Sequence, residues 1–333
     1  MAKLDDSSKL TTQPRVGIEP SAGVDSTSIM RIKNLQLRAK TIVHGFYNGL
    51  HRSPVHGSSV EFSEYRPYSV GDDLRGLDWK RFARSDRYFI KKFEDETNRR
   101  CYLVVDQSKS MGYGSLEYTK IEYARTIAAT LAHFLMLQRD NVGLLTFDEQ
   151  VGDYISAQTR VGHFHHLLVA LSRPLQGKGT DIDAPLRQIA GLIRRRGLVI
   201  LISDLLTSIS SLQTNLAYLR SRGHEVVILR VLDPAELDLK IDQPSMVMDL
   251  ESGREIYIDP EVARQSYQEN FQSHQTELSE VCNSLGVDFY QMSTADSLDV
   301  ALFNVVDAQT RRGKSTARSG MLRGVAATSG GNA

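Results

Sequence analysis

The chain of 333 residues is 41% hydrophobic and 24% charged, and its 40 basic residues balance 40 acidic ones, so the formal net charge is zero. This composition is typical of a soluble globular protein, and the lack of a positive excess excludes a general electrostatic binder of nucleic acid. The two cysteines exclude a disulfide framework and favour a reducing compartment, so we expect a cytoplasmic protein. We expect no signal peptide and no transmembrane segment, because no apolar run approaches the ~20 residues of a membrane span.

Both ends of the chain are predicted to be disordered. Residues 1–27 form a leader rich in Ser, Thr, Pro and Gly, and residues 309–333 form a tail of the same character, both with little periodicity. Five basic residues and no acidic residue fall within 26–60, and the same holds within 311–333. The tail is therefore basic, and the compensating acidic excess lies in the body of the chain.

Residues 28–98 are predicted to form an N-terminal elaboration that packs on the core. Apolar residues at helical spacing predict a helix from about 29 to 50, docked on the protein itself. The alternative is that this helix binds a membrane surface, because its polar face is basic. Two short strands are predicted after it, at Val60–Tyr68 and Tyr88–Phe93.

Between residues 99 and 308, short buried strands alternate with helices. The predicted strands are 101–106, 141–148, 197–204, 224–233 and 287–292, with 151–157 as an antiparallel edge. The predicted helices are 118–139, 164–173, 182–195, 210–222, 260–285 and 297–306, and 246–258 is predicted to be a hairpin. This alternation predicts an α/β fold, with a doubly wound, mostly parallel sheet of the Rossmann type covered on both faces.

Oxygen-bearing side chains follow two of these predicted strands. Asp106, Ser108 and Ser110 come at the end of the first strand, Asp204 ends another, and a loop between them supplies Thr180. Because the carboxyl ends of parallel strands share one edge, where ligands bind, we expect these side chains to meet. The set contains no His or Cys, so it predicts Mg²⁺ or Mn²⁺ rather than Zn²⁺. Such an ion would keep an exchangeable position that a partner's carboxylate could fill.

This order of Asp-x-Ser-x-Ser, then Thr, then Asp resembles the metal-ion-dependent adhesion site of von Willebrand factor A-type domains. The match is complete at all five positions, and the resemblance covers residues 101–306. It implies a von Willebrand A-like fold. It also implies a site that binds Mg²⁺ or another divalent ion and captures an acidic side chain of a protein ligand.

The segment upstream is similar to the N-terminal part of a bacterial family of unknown function. The matching residues are Glu61, Glu64, Arg66, Tyr68, Gly71, Asp72, Asp73, Arg75, Asp78 and Trp79. Members of that family look like von Willebrand A proteins and are often encoded beside MoxR-type AAA+ ATPases. The resemblance implies a cytoplasmic partner of such an ATPase, acting in protein maturation or complex assembly, and it supplies no enzymatic activity.

Four charged residues of this segment, Arg66, Asp72, Asp73 and Arg75, are candidates for a partner-binding surface. Mixed charges so close together also fit an internal network of ion pairs that docks the segment on the core. The sequence favours this second interpretation, because paired charges of both signs are typical of such networks.

The leading functional hypothesis is therefore a metal-dependent protein-binding adaptor, and no catalytic constellation is recognised. One alternative is a Mg²⁺-dependent phosphatase or phosphotransferase that uses Asp106, although Ser108 stands where such enzymes carry a second acid. The other is a metal-free scaffold. The run His163-Phe164-His165-His166 lacks the spacing of a zinc site and is predicted to begin a helix on the surface.

Overall fold

The computed structural model describes residues 26–52, 65–67, 89–91, 99–175, 183–239, 243–248 and 255–308. The described helices are α1 (Ser26–Met30), α2 (Leu35–Arg52), α3 (Lys120–Leu137), α4 (His163–Leu171), α5 (Asp183–Leu192), α6 (Ile209–Ser221), α7 (Pro234–Asp238), α8 (Pro260–Leu285) and α9 (299–308), with a 3-10 turn at Ser110–Gly112. The described strands are β1 (Tyr65–Pro67), β2 (Phe89–Lys91), β3 (Arg100–Asp106), β4 (Asn141–Phe147), β5 (Val151–Gln158), β6 (Leu198–Ser203), β7 (Glu225–Leu232), β8 (Ser245–Met248), β9 (Glu255–Ile258) and β10 (Asp288–Ser293).

Six strands form the central sheet in the order β10-β7-β6-β3-β4-β5. All neighbours run parallel except β5, which pairs antiparallel with β4 at one edge. The inner strands are mostly apolar, and every residue of β6 is buried, as expected for strands covered on both faces. The predicted fold class, a doubly wound and mostly parallel α/β sheet with an antiparallel edge, is confirmed.

Two apolar layers cover the sheet. Alternate residues of β3 separate to the two faces: Leu103 and Val105 contact the layer formed by α2, α3, α4 and α9, whereas Tyr102 and Val104 contact the layer formed by α5, α6 and α8. This division follows from the two-residue period of a strand. It leaves the two ends of the strands, rather than the faces, open for binding.

Helix α2 docks on the protein core. Phe46 is 3% exposed, and its ring centroid lies 4.7 Å from that of Phe303 and 5.7 Å from that of Phe134. The apolar face of α2 is therefore occupied by α3 and α9. This agrees with the predicted docked helix and contradicts the alternative that α2 binds a membrane surface. The division of the chain at residues 27, 98 and 308 stays a prediction.

The smaller predicted elements are found with shorter bounds. Strands β1 and β2 pair antiparallel within the N-terminal elaboration, and β8 and β9 form the predicted hairpin strands. Helix α3 begins at Lys120 rather than at Tyr118, because Thr119 and Glu122 form a capping box at its start. His163 begins α4 as predicted. The predicted surface placement is confirmed for His165 and His166, which are exposed, but it is wrong for His163, whose ring is buried with Nε2 2.6 Å from the Val142 carbonyl oxygen.

Candidate functional site

The carboxylate of Asp106 is fixed at the carboxyl end of β3. The side chain is fully buried, and both of its oxygens accept hydrogen bonds. Oδ1 accepts from the backbone N–H of Ser108 at 2.8 Å, and Oδ2 accepts from the Ser203 hydroxyl at 2.6 Å. The hydroxyls of Ser108 and Ser110 lie 3.0 Å apart beside it. The buried strand thus ends in a carboxylate and two hydroxyls held within one tight loop.

Asp204 stands at the end of the neighbouring strand β6 and is also fully buried. Its Oδ2 accepts a hydrogen bond from Lys120 Nζ at 2.8 Å, and its backbone carbonyl accepts one from Arg230 Nε at 3.0 Å. Oδ1 has a weaker contact, 3.4 Å from the backbone N–H of Leu206. One oxygen of Asp204 is therefore engaged by an ammonium group, whereas the other is loosely held.

The turn after β6 has an unusual backbone. Leu205 has a φ of 53°, in the left-handed region that residues with a Cβ rarely adopt. The Ser203 hydroxyl accepts a hydrogen bond from Leu205 N–H at 3.0 Å while donating to Asp106. Ser203 therefore couples this strained turn, and with it the position of Asp204, to the carboxylate of Asp106.

The electrostatics of the site are those of two acids sharing a buried space. Burial and, to a smaller extent, the charge of Asp204 raise the pKa of Asp106 to about 7, although the hydrogen bonds from Ser203 and Ser108 act in the opposite direction. Burial would lower the pKa of Lys120, but the charges of Asp204 and Glu236 outweigh that effect and raise it. The site therefore favours a positive charge beside these carboxylates.

Lys120 is the functional residue that the sequence analysis missed. Its side chain has no exposed surface, and Nζ lies 2.8 Å from Asp204 Oδ2 and 2.6 Å from Glu236 Oε1. It occupies the first position of α3, where the helix dipole disfavours a cation. A signal was present in the sequence: Lys120 lies on the same helical stripe as the buried Ala124 and Ile127, and a lysine on an apolar stripe needs a charged partner.

A third loop closes one side of the site. Glu236 Oε2 accepts a hydrogen bond from the Asp233 N–H at 2.8 Å, which completes the capping box of α7. Asp233 in turn accepts from the N–H of Ser115 at 2.8 Å and from its hydroxyl at 2.5 Å. Loops that follow β3, β6 and β7 are thus joined into one polar cluster, in which Lys120 is the central cation.

Four of the five predicted metal ligands, Asp106, Ser108, Ser110 and Asp204, are brought together at the carboxyl edge of the sheet, and Thr180 lies outside the described residues. Their oxygens suit a hard divalent cation such as Mg²⁺ or Mn²⁺. No cluster of three or more His, Cys, Asp or Glu side chains that could hold a metal ion occurs in the described ranges. A divalent ion here would therefore depend on hydroxyls and water in addition to the two aspartates.

The predicted partner surface lies almost entirely outside the described structure. Arg66 is placed in β1, opposite Ile90 of β2, and its side chain is not described. Asp72, Asp73 and Arg75 lie outside the described residues. The choice between a partner surface and an internal ion-pair network stays a prediction.

In the described ranges, no helix has the length and the apolar character to cross a membrane.

Comparison with known proteins identifies a family. The model of DUF58, described as a protein of unknown function, matches residues 64–277. Among curated proteins, an uncharacterized protein of Mycobacterium tuberculosis, Rv1480, is 27% identical over 268 residues, which cover 79% of this chain and 84% of that protein. Uncharacterized protein YeaD of Bacillus subtilis is 28% identical over 118 residues, which cover 35% of this chain and 27% of that protein.

Solved structures give weaker matches. BatB from Bacteroides thetaiotaomicron superimposes with a TM-score of 0.46 at 15% identity, over 65% of this chain and 99% of that one. The von Willebrand A domain of SpRpn10 gives 0.39 at 13% identity, over 61% and 93%. These scores are too low to carry an inference about function.

Proposed function

Because the chain belongs to DUF58, a family of proteins of unknown function, we propose its activity from the chemistry of its own site. The protein is a metal-dependent protein-binding adaptor. Asp106, Ser108, Ser110, Thr180 and Asp204 would hold Mg²⁺ or Mn²⁺. The site would then capture an acidic residue of a protein ligand.

One observation carries the proposal: two fully buried aspartates stand at the ends of adjacent parallel strands, with two hydroxyls beside them. Buried carboxylates are costly unless a cation compensates them. Lys120 pairs with Asp204 and is shared with Glu236, so among the described residues no cation lies within hydrogen-bonding distance of the Asp106 carboxylate. A divalent ion would supply that charge.

The residues of the chain prepare the site in two ways. Ser203 and the backbone of Ser108 hold the Asp106 carboxylate in one orientation. Lys120 binds Oδ2 of Asp204 and leaves its Oδ1 loosely held. When bound, a divalent ion supplies an exchangeable coordination position suited to a carboxylate oxygen of the ligand. Electrostatic attraction at one fixed point gives such a contact its specificity.

The same arrangement does not favour a phosphatase. Asp106 would have to act as a nucleophile, and enzymes of that kind need a second acid two positions on as the acid–base group. The residue two positions on is Ser108, whose hydroxyl pairs with Ser110 and cannot act as the general acid.

We further propose that the adaptor is cytoplasmic and works with a MoxR-type AAA+ ATPase in protein maturation or complex assembly. The resemblance of the segment from Glu61 to Trp79 to a bacterial family whose members are often encoded beside such ATPases supports this partnership. Two buried cysteines, Cys101 and Cys282, carry free thiols, which fits a reducing compartment.

The metal is tested first. Mn²⁺ binding to the full chain is measured by electron paramagnetic resonance for wild type, Asp106→Asn and Asp153→Asn. Asp153 is the matched control, because its carboxylate pairs with Arg173 on the surface. Loss of a ligand should weaken Mn²⁺ binding by at least ~10-fold in Asp106→Asn only. Equal binding by all three proteins would contradict the metal site.

The partner is tested with the same proteins. Immobilised wild-type chain is exposed to a bacterial lysate in Mg²⁺ or in EDTA, and the retained proteins are identified. We expect ligands, and an AAA+ ATPase among the retained proteins, that are lost in EDTA and with Asp106→Asn but kept with Asp153→Asn. If the same proteins were retained in EDTA and by Asp106→Asn, the result would favour a metal-free scaffold. Phosphate-ester hydrolysis that disappears in Asp106→Asn would favour an enzyme.

A further inference from the structure

A groove rich in arginine opens at the end of the sheet opposite to Asp106. It lies between β5 and the end of α5, has a volume of about 480 Å³, and is lined by Arg100, Tyr102, Tyr154, Leu192, Arg194 and Arg195 among others. Arg100 begins β3 and Asp106 ends it. A strand of this length separates the groove from the metal site by roughly 20 Å.

The arginines of the groove have no acidic partner in the described ranges. None of the ion pairs found there includes Arg100, Arg194 or Arg195. The adjacent Arg196 is turned aside, because its Nε donates to the Gly223 carbonyl at 3.1 Å. Three arginines therefore line one open groove on a chain whose net charge is zero, which makes it a local site for an anion rather than part of a basic surface.

Two tyrosines complete the groove. Tyr154 is 41% exposed, whereas Tyr102 is 5% exposed beneath it. Burial raises the pKa of Tyr102, and the positive charges of Arg100 and Arg195 oppose this effect, which reflects how close both groups are to its ring. Partly exposed tyrosine next to arginine is typical of protein-binding surfaces.

The groove adjoins the open edge of the sheet. Strand β5 pairs with β4 on one side, and no described strand pairs with its other side. Along β5, side chains alternate between exposed and half-buried, so exposed Tyr154 and Ser156 lie on the groove side, two residues apart. An open edge accepts an extended peptide through backbone hydrogen bonds, and alternate side chains of that peptide then face the same side.

We propose that this groove binds an extended acidic segment of a partner protein. The segment adds to the edge of β5 and directs its carboxylates to Arg100, Arg194 and Arg195. The guanidinium fork matches a carboxylate in shape as well as in charge. Nucleic acid fits less well, because three arginines would neutralise few phosphates and the chain has no general positive excess. This contact is independent of the metal site, so EDTA leaves it unchanged.

The test uses a fluorescein-labelled peptide in which glutamate alternates with valine, of the same length as β5, which has 8 residues. Binding to the full chain in EDTA is measured by fluorescence anisotropy. A peptide with glutamine in place of glutamate and a labelled single-stranded oligonucleotide of equal charge are measured in parallel. We expect binding of the glutamate peptide alone, weakened by added salt.

The variant is Arg194→Glu combined with Arg195→Glu. Both positions are exposed, so the fold should persist, and circular dichroism checks this. Arg187→Glu is the matched control, because Arg187 is exposed on α5 but does not line the groove. The double variant should weaken peptide binding at least ~10-fold, and the control should not. The proposal would be overturned if the glutamate peptide did not bind, or if the double variant bound it as tightly as wild type. It would also be overturned if only the oligonucleotide bound in a way that depended on the arginines.

Discussion

Lys120 Nζ lies 2.8 Å from Asp204 Oδ2, and neither side chain has any exposed surface. The two residues are 84 positions apart in the chain, so the contact exists only in the folded protein. It places a permanent cation of the chain at the edge of the sheet where a divalent cation is proposed to bind. The consequence is that the site is partly neutralised before any metal arrives.

Replacing Lys120 with methionine should therefore destabilise the protein strongly. Methionine keeps much of the volume but leaves Asp204 buried without its partner and removes one partner of Glu236. Breaking a buried ion pair from one side costs about 3–5 kcal/mol, and we expect a loss of that size in urea denaturation with EDTA. Lys109→Met is the control, because Lys109 is exposed in the neighbouring loop and its loss should change stability little.

The same variant distinguishes a structural lysine from one that shares a site with a metal. If Mg²⁺ binds at Asp106 and Asp204, it can replace part of the lost charge. The rise in melting temperature on adding Mg²⁺ should then be larger for Lys120→Met than for wild type. An equal rise in both proteins would show that Lys120 and the metal do not act on the same carboxylates.

The sequence predicted the aspartates but not their lysine, and the reason is physical. Asp106 and Asp204 each end a continuous apolar run, and parallel strands bring such ends together by topology alone. Lys120 acquires its role from Asp204 and Glu236, which are 84 and 116 positions away. Local periodicity carries no information about contacts at that separation.

The arginine groove could not be predicted from the sequence, for a related reason. Arg100 and Arg195 are far apart in the chain, and they meet because Cys101 of β3 is in register with Leu198 of β6. Neither residue belongs to a recognisable motif, and each would be read alone as an ordinary surface arginine. Register between strands is set by packing of the whole sheet, so it could not be derived from either segment.

Asp140 should make stability depend on pH. Burial raises its pKa to about 6 in the folded protein, although the backbone N–H and the charge of Arg99 oppose this. An unfolded aspartate titrates near 3.9, so between about pH 4 and pH 6 the folded state holds a proton that the unfolded state has lost. The free energy of unfolding should then fall as pH rises through this window.

Asp140→Asn removes this titration and serves as the comparison. Its free energy of unfolding, measured in EDTA from pH 4 to 7, should decline less steeply than that of wild type. Asp153→Asn changes a surface carboxylate and should leave the slope as it is. If the free energy of unfolding of Asp140→Asn declined with pH as steeply as that of wild type, a group other than Asp140 would be responsible for the decline.

Phe46 should fix helix α2 to the body of the protein. Its ring is 3% exposed and contacts Phe134 and Phe303, so Phe46→Ala leaves a cavity between three elements. Such truncations cost about 3–5 kcal/mol, which urea denaturation would measure. Leu37→Ala on the same helix is the control, because Leu37 is 53% exposed and its loss should change stability by less than about 0.5 kcal/mol. If both variants lost similarly little free energy of unfolding, the contacts of Phe46 would not be what holds α2 on the protein.

Ser203→Ala should affect stability and metal binding together, although Ser203 is not a proposed ligand. Its hydroxyl donates to Asp106 and accepts from the N–H of Leu205, so alanine leaves two buried polar groups with one partner fewer. This loss costs about 1–3 kcal/mol. Because Asp106 then keeps its contacts with Ser108 but loses the hydrogen bond from Ser203, Mn²⁺ binding should weaken ~10-fold or more, as is usual when a partner of a metal ligand is removed. Ser203→Thr keeps the hydroxyl and should restore much of the binding, whereas a loss of stability with unchanged Mn²⁺ affinity would separate this hydrogen bond from the metal site.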